Sequence, residues 1–110
     1  MTTHKIHCQE PWFSLLKNGQ KPVEGRKNSP LYQKIKVGDH IIFFEGSKSF
    51  EALVTGINKY NSVEEYLKSE TLERALPGIA SIQEGLAIYH SWNTPQDIDK
   101  YGFLGIQIKI

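Results

Sequence analysis

The sequence predicts an α+β fold in which about five to six strands form a small mixed or antiparallel β-barrel, with helices packed on one side. Two observations lead to this prediction. Short alternating or apolar runs stand near both ends and in the middle of the chain, and capped helical segments lie between them. The closing run "FLGIQIKI" must pair with an earlier strand, because an unpaired apolar edge promotes aggregation. A sheet that curls on itself meets that requirement.

Length and composition predict one domain over residues 1–110 and exclude several classes of site. The 13 Lys and Arg residues nearly balance the 12 Asp and Glu residues, so any nucleic-acid contact must come from a local cluster. The single cysteine, Cys8, excludes an internal disulfide and multi-cysteine zinc patterns. No P-loop or dinucleotide fingerprint is present. We therefore expect a monomer without metal or cofactor.

The N-terminal residues "MTTHKIHCQE" lack the apolar core of a signal peptide. No apolar run approaches the roughly 20 residues that a membrane-spanning helix needs. The sequence therefore predicts an intracellular, cytoplasmic protein without a membrane partner, and leaves a nuclear location open.

The first third of the chain reads as strand, helix and strand. The run "HKIHC" alternates, and "PWFSLLKNG" places Trp12, Leu15 and Leu16 on one helical face before Gly19 ends the helix. The run "KPVEGRK" then predicts a strand with Glu24 and Arg26 on one face and Lys21 on the other. Lys21 joins them only if the strand begins irregularly at Pro22.

The remaining elements follow from apolar runs and capping boxes. "HIIFFE" predicts a buried strand, which forms a hairpin with "FEALVTGINKY". "SVEEYLKSE" and "SIQEGLAIYHSW" each begin with Ser and carry Glu three residues later, which predicts two capped helices. "TPQDIDKYG" predicts a capped turn or short helix before the final strand. The acidic helix is most simply a solvated face, although Glu64, Glu65 and Glu70 offer carboxylates to a cleft edge.

One motif is specific enough to suggest a family. "NGQKPVEGR" fits G-x-K-x-x-E-x-R with Gly19, Lys21, Glu24 and Arg26 at the fixed positions. Followed by "KIKVGDHIIFF" and the later helices and closing strand, it resembles the ASCH domain, a β-barrel related to the PUA fold of RNA-modifying enzymes. The resemblance covers nearly the whole chain. It implies a PUA-like barrel, with the motif on the wall of a cleft that binds RNA or nucleotides.

The resemblance also leaves enzyme activity open. One branch of the family is similar to enzymes that hydrolyse N4-acetylcytidine, and another is described as a ribonuclease. In the amidohydrolase branch a threonine stands three positions after the lysine. Lys21 and Arg26 match that branch, but Glu24 occupies the threonine position, so the proposed nucleophile is absent. If the protein is an enzyme, Lys21 and Glu24 are the expected catalytic residues.

The three charges also predict chemistry by themselves. Two neighbouring cations favour the ionised form of Glu24, which then accepts a hydrogen bond from a base amino group or a sugar hydroxyl. Arg26 offers a planar donor fork, and Lys21 acts as a point charge or an activated amine. The alternative is an exposed salt-bridge ladder, which contributes only about 0–1 kcal/mol per pair.

Aromatic and basic neighbours complete the candidate site. Trp12 is the predicted pocket wall, whereas Tyr89 and Trp92 share a helical face that is typical of packing. An inert, half-buried role is expected for Cys8. The "EGSKS" loop and the "RKNSP" segment are either ligand rims or simple turns. The predicted ligand-binding residues are Trp12, Lys21, Glu24, Arg26, Lys27, Asn28, Ser47 and Lys48.

Three functions therefore compete at this point. The first is an RNA- or nucleotide-binding domain in RNA metabolism or transcription-related regulation, with single-stranded RNA, a nucleotide or a nucleoside as its partner. The second is a hydrolase that acts on a modified nucleoside or on RNA. The third is a module that binds a protein partner and keeps the cleft only as an inherited shape.

Overall fold

A computed structural model describes residues 1–110. The sequence produces five strands and five helices, together with one 3-10 turn at Tyr32–Lys34. The strands are β1 (Thr3–His7), β2 (Val23–Lys27), β3 (His40–Glu45), β4 (Lys48–Tyr60) and β5 (Phe103–Lys109). The helices are α1 (Trp12–Lys17), α2 (Val63–Glu70), α3 (Leu72–Ala75), α4 (Ile82–Trp92) and α5 (Pro95–Tyr101).

The strands form one sheet in the order β1-β3-β4-β5-β2. β1 pairs with β3 in parallel, and every other pair is antiparallel. The sheet curls into a half-barrel with helices, as expected for a PUA-like fold, so the predicted α+β class is confirmed. β1 and β2, which are the two edge strands, both contribute to the candidate site.

The predicted local signals are present at the helix termini. The hydroxyl of Ser62 accepts a hydrogen bond from the Glu65 amide at 3.1 Å, and Ser81 accepts one from the Glu84 amide at 3.2 Å. Gly19, after α1, has φ of +86°, which is the left-handed conformation that the sequence predicted. These caps set where α2 and α4 begin.

In α1 the buried side chains are Trp12, Phe13 and Leu16, whereas Leu15 is only partly buried. The predicted apolar face was therefore wrong by one residue. Phe13 takes that place because its ring meets the ring of Phe50 on β4 at a centroid distance of 5.2 Å. The short helix thus packs on the β3–β4 hairpin.

Tyr66 of α2 lies at the centre of the core. Its ring makes edge contacts with the rings of Tyr89 and Phe103 at centroid distances of 5.7 and 5.0 Å. It also lies on Gly25 and Gly105, which pair across β2 and β5. A Cβ at Gly25 would stand 2.8 Å from the Tyr66 ring, so only glycine permits this close approach.

No helix of the chain combines the length and the apolar character that a membrane crossing would require.

Candidate functional site

The candidate site lies where the two edge strands of the half-barrel approach each other. Arg26 on β2 donates a hydrogen bond from Nη2 to the carbonyl oxygen of His7, the last residue of β1, at 2.8 Å. Cys8 follows β1 directly, and its Sγ lies 3.7 Å from Glu24 Oε2 on β2. The charged motif therefore links the two edge strands of the sheet, β1 and β2.

Lys21 precedes β2 and is almost completely buried. Its ammonium donates to the carbonyl oxygens of Val23, at 2.8 Å, and of Ala75 in α3, and it lies 3.4 Å from Glu24 Oε1. Three acceptors match the three N–H groups of an ammonium, and the nitrogen of an ammonium has no lone pair for nucleophilic attack. Burial lowers the pKa of Lys21, and the Glu24 charge opposes that shift.

Glu24 lies between the two cations and uses its oxygens unequally. Oε2 accepts hydrogen bonds from Arg26 Nε at 3.2 Å and Nη2 at 2.8 Å, together with the weak Cys8 contact. Oε1 has only Lys21 nearby. Burial raises the pKa of Glu24, but the charges of Arg26 and Lys21 outweigh it and hold the pKa below its ordinary value. Glu24 is therefore an ionised acceptor.

Arg26 is held on several sides. Besides Glu24 and His7, it donates from Nη1 to the hydroxyl of Tyr32 at 3.0 Å, and its guanidinium lies 5.5 Å from the Tyr32 ring centroid. Burial lowers its pKa, but the Glu24 charge outweighs that effect and the pKa is raised. One Nη1 hydrogen has no protein acceptor and remains available to a ligand.

Lys21, Glu24 and Arg26 line a cleft of about 290 Å³. Its lining combines apolar, aromatic and polar side chains from both edge strands and from α4. The lining residues are His7, Cys8, Gln9, Trp12, Lys21, Glu24, Gly25, Arg26, Tyr32, Leu76, Tyr89, Trp92 and Asn93.

Both tryptophans of the sequence line this one cleft. Trp12 is buried, whereas Trp92 is 45% exposed and lies at the rim. The rings of Tyr89 and Trp92 meet at 90° with centroids 5.5 Å apart. Tyr89 does pack in the core as predicted, but Tyr89 and Trp92 also form a wall of the cleft, whereas their shared helical face favoured packing alone.

The sequence was compared with family models, curated proteins and solved structures. The ASCH domain model matches residues 6–109. The chain belongs to the ASCH domain family. No curated protein matches it. The resemblance that the motif predicted is therefore confirmed for nearly the whole chain.

Three solved structures show how this ASCH domain compares. Hypothetical protein PH0355 is 38% identical, with a TM-score of 0.92 over 98% of each chain. Protein PF0455 from Pyrococcus furiosus is 37% identical, with a TM-score of 0.83 over 98% of this chain and 96% of that one. The S128A mutant of ZmASCH from Zymomonas mobilis is 16% identical, with a TM-score of 0.65 over 96% of this chain and 66% of that one, and shows the shared fold alone.

The ASCH cleft brings together four of the eight predicted ligand-binding residues, namely Trp12, Lys21, Glu24 and Arg26. The other four lie outside its lining. Lys27 is 3.7 Å from Asp97 and stands over the Tyr101 ring, and Asn28 follows it at the end of β2. Ser47 and Lys48 belong to the β3–β4 hairpin tip.

Cys8 is a cleft residue that the sequence did not indicate as one. Burial raises its pKa to about 12, and the neighbouring Glu24 charge adds to the shift. The thiol is therefore protonated and unreactive near neutral pH. The residues next to Cys8 in the sequence do not indicate a cleft, because Cys8 approaches Glu24 only when β1 and β2 come together in the fold.

Glu70 does not lie at the cleft. Its side chain is buried near β4 and β5, where Asn58, Tyr60 and Gln107 donate to its two oxygens. No group of three or more His, Cys, Asp and Glu side chains has a metal-holding arrangement. The cleft presents charges, hydrogen-bonding groups and aromatic walls.

Proposed function

We propose that this ASCH domain binds a nucleoside, a nucleotide or one base of a single-stranded RNA in the cleft between β1 and β2, as part of RNA metabolism or transcription-related regulation. ASCH domains are generally RNA-associated. The observation that carries the proposal is the convergence of two tryptophans with the Glu24–Arg26 ion pair. A volume of about 290 Å³ suits one base and its sugar, because small-ligand pockets begin near ~300 Å³.

The aromatic lining supports stacking with a base. Stacking on an aromatic side chain contributes about 1–3 kcal/mol per base and tolerates every base. Trp92 is exposed at the rim and needs no rearrangement to meet a ligand, whereas Trp12 offers a buried wall. Affinity would come mainly from these surfaces.

The polar lining supports recognition of a donor edge. The Glu24 carboxylate accepts from an N–H or O–H group, and the free Nη1 hydrogen of Arg26 donates to a carbonyl or phosphate oxygen. Lys27 and Asn28 continue β2 beyond Arg26, so we propose that they contact the backbone of an RNA strand as it leaves the cleft. Contributions from Ser47 and Lys48 stay a prediction.

Tryptophan fluorescence provides the test, since both tryptophans line the cleft and the signal has no other source. The wild type is titrated with nucleosides, nucleotides and short single-stranded RNAs. Arg26→Lys keeps the charge but cannot reproduce the fork that joins Glu24, His7 and Tyr32, so we expect at least tenfold weaker binding, about 1.4 kcal/mol.

The matched control is Arg74→Ala, because Arg74 is the other arginine of the sequence and lies outside the cleft lining. It should bind as the wild type does, and circular dichroism checks that both variants are folded. If the wild type binds none of the nucleosides, nucleotides or RNAs, the proposal is contradicted. A stable protein partner in that case would favour the protein-interaction module.

A hydrolase is the second candidate, and one observation favours it. Glu24 is an ionised, mostly buried carboxylate that lines a cleft, and a buried charged group at a cleft is a candidate functional group. In this hypothesis Glu24 positions water and the charge of the Lys21 ammonium stabilises developing negative charge. The same samples are assayed for acetate release from N4-acetylcytidine and for RNA cleavage. No product with either substrate would contradict this candidate and leave the binding proposal intact.

A further inference from the structure

Glu24 keeps one unused acceptor position in the cleft. Its Oε2 already has three donors, whereas Oε1 has only the Lys21 ammonium, at 3.4 Å. A carboxylate oxygen accepts two hydrogen bonds, so Oε1 has room for one more. The side chain lines the cleft and keeps 7% exposure, and the protein contains no buried side-chain oxygen without a partner. We place the open position of Oε1 on the side of the cleft that Glu24 lines.

One wall of the same cleft is apolar and aromatic. Leu76, Tyr89 and Trp92 line the same cleft, and the perpendicular rings of Tyr89 and Trp92 form a corner. The Tyr89 hydroxyl lies 3.4 Å from the Tyr66 hydroxyl and is directed into the core cluster. An alkyl group fits such a corner, whereas the two ring faces offer an additional N–H group no strong acceptor.

Trp12 supplies a donor in the same space. Trp12 is 7% exposed, and its indole N–H donates to no protein acceptor. The protein has no buried side-chain nitrogen without a partner, so this nitrogen is not fully enclosed, and the open space beside Trp12 is the cleft that it lines. A ring nitrogen of a bound base can accept this hydrogen bond.

We propose that the cleft prefers a base whose exocyclic amino group carries one alkyl substituent. This inference rests on the proposed function. A monoalkylated amine has one N–H for Glu24 Oε1 and places its alkyl group against Tyr89 and Trp92. A primary amine directs its second N–H at these two rings, which offer no strong acceptor. A dialkylated amine has no N–H to donate, so Glu24 Oε1 loses water without gaining a hydrogen bond from the ligand.

The test uses nucleosides that differ by single methyl groups. Adenosine, N6-methyladenosine and N6,N6-dimethyladenosine are titrated by tryptophan fluorescence, and the N4-methyl series of cytidine serves as a second set. The monomethyl member should bind about tenfold tighter than the members without or with two methyl groups. Equal affinities across both series would overturn this inference while the proposed function stands. Failure of every nucleoside to bind would overturn both.

Two variants separate the contributions. Trp92→Ala removes half of the corner at a side chain that is 45% exposed, so the fold should persist. We expect the preference for monomethyl over unmodified adenosine to fall below about threefold. Val37→Ala is the control, because Val37 is also exposed but lies outside the cleft lining, and it should keep the tenfold preference. An undiminished preference in Trp92→Ala would overturn the inference.

Glu24→Gln tests the acceptor itself, with near-ultraviolet circular dichroism as the check on folding. The folded variant should bind the monomethyl and dimethyl nucleosides with affinities that differ by less than about threefold, because its neutral amide oxygen accepts more weakly than the carboxylate. A persistent tenfold difference would mean that another group receives the N–H, and would overturn the assignment of Glu24. If this variant does not fold, the Trp92→Ala measurement still decides the proposal.

Discussion

The protein buries two carboxylates in different ways. Glu24 lies between two cations at the seam of the half-barrel and keeps an acceptor position open to a cleft. Glu70 lies near β4 and β5, where Asn58, Tyr60 and Gln107 donate at 3.1, 2.5 and 2.8 Å, and Arg74 lies 3.7 Å away. Burial raises both pKa values, but the surrounding groups outweigh burial and lower them.

The comparison teaches that a buried carboxylate is not by itself a functional site. Neutral donors occupy both oxygens of Glu70 and fasten the end of α2 to β4 and β5. The charges around Glu24 keep it ionised while leaving one oxygen available. The functional difference lies in the unfilled acceptor and the adjoining cleft. It does not lie in burial or in the direction of the pKa shift.

Removing a cation from the Glu24 cluster should have the largest effect. Lys21→Met keeps the approximate volume but leaves Glu24 with one cation and removes the donor to two carbonyl oxygens. We expect the free energy of unfolding to fall by about 3–5 kcal/mol in urea titrations. Lys68→Met, at an exposed helix pair, should change it by less than about 0.5 kcal/mol. Similar small losses in both variants would show that the cluster does not stabilise the fold.

Removing the charge of Glu70 should affect stability without affecting binding. Glu70→Gln retains the shape but disturbs the hydrogen bonds from Tyr60 and Gln107, and should cost about 1–3 kcal/mol in the same urea titrations. The affinity for nucleosides should stay within about twofold of wild type, because Glu70 does not line the cleft. A tenfold loss of affinity would break the distinction between the two carboxylates.

Acid should weaken both regions, with a sign that follows from the lowered pKa values. A carboxylate with a lowered folded-state pKa stabilises the fold above its unfolded pKa of about 4.3. That stabilisation is lost as the pH falls through the folded-state pKa. Urea unfolding at several values from about pH 6 to about pH 3 should show a smaller pH slope in folded Glu24→Gln and in Glu70→Gln than in the wild type. An unchanged slope in both would contradict these pKa directions.

Removing either N-cap serine should have the smallest effect on stability, and the two substitutions serve as controls for each other. Ser62→Ala and Ser81→Ala each remove an N-cap hydrogen bond and should each cost about 1 kcal/mol, measured by thermal unfolding. Ser81 begins α4, which carries Tyr89 and Trp92, so its loss should also weaken nucleoside binding by about twofold to threefold. Ser62→Ala should leave binding unchanged. Equal binding effects would mean that α4 has no special part in the cleft.

Much of the fold follows from signals that lie within a few residues of one another. The caps at Ser62 and Ser81, the left-handed Gly19 and the β3–β4 hairpin occur where the sequence predicts them. The spacing of the motif likewise identified the family. Such features depend on the backbone preferences and hydrogen bonds of neighbouring residues, which the sequence displays directly.

The site was predicted in part, and its organisation depends on contacts between distant residues. The Lys21 ammonium reaches the carbonyl of Ala75, 54 positions away, and Arg26 reaches His7 across 19 positions. Cys8 and Glu70 show the same limit of the sequence prediction. Cys8 lines the cleft and Glu70 does not, and the neighbouring residues in the sequence indicate neither position. The sequence determined the elements, the caps and the motif, since local chemistry specifies them. Only tertiary structure decided which oxygens are filled and which face the cleft, because those partners meet only when the sheet curls and its edge strands come together.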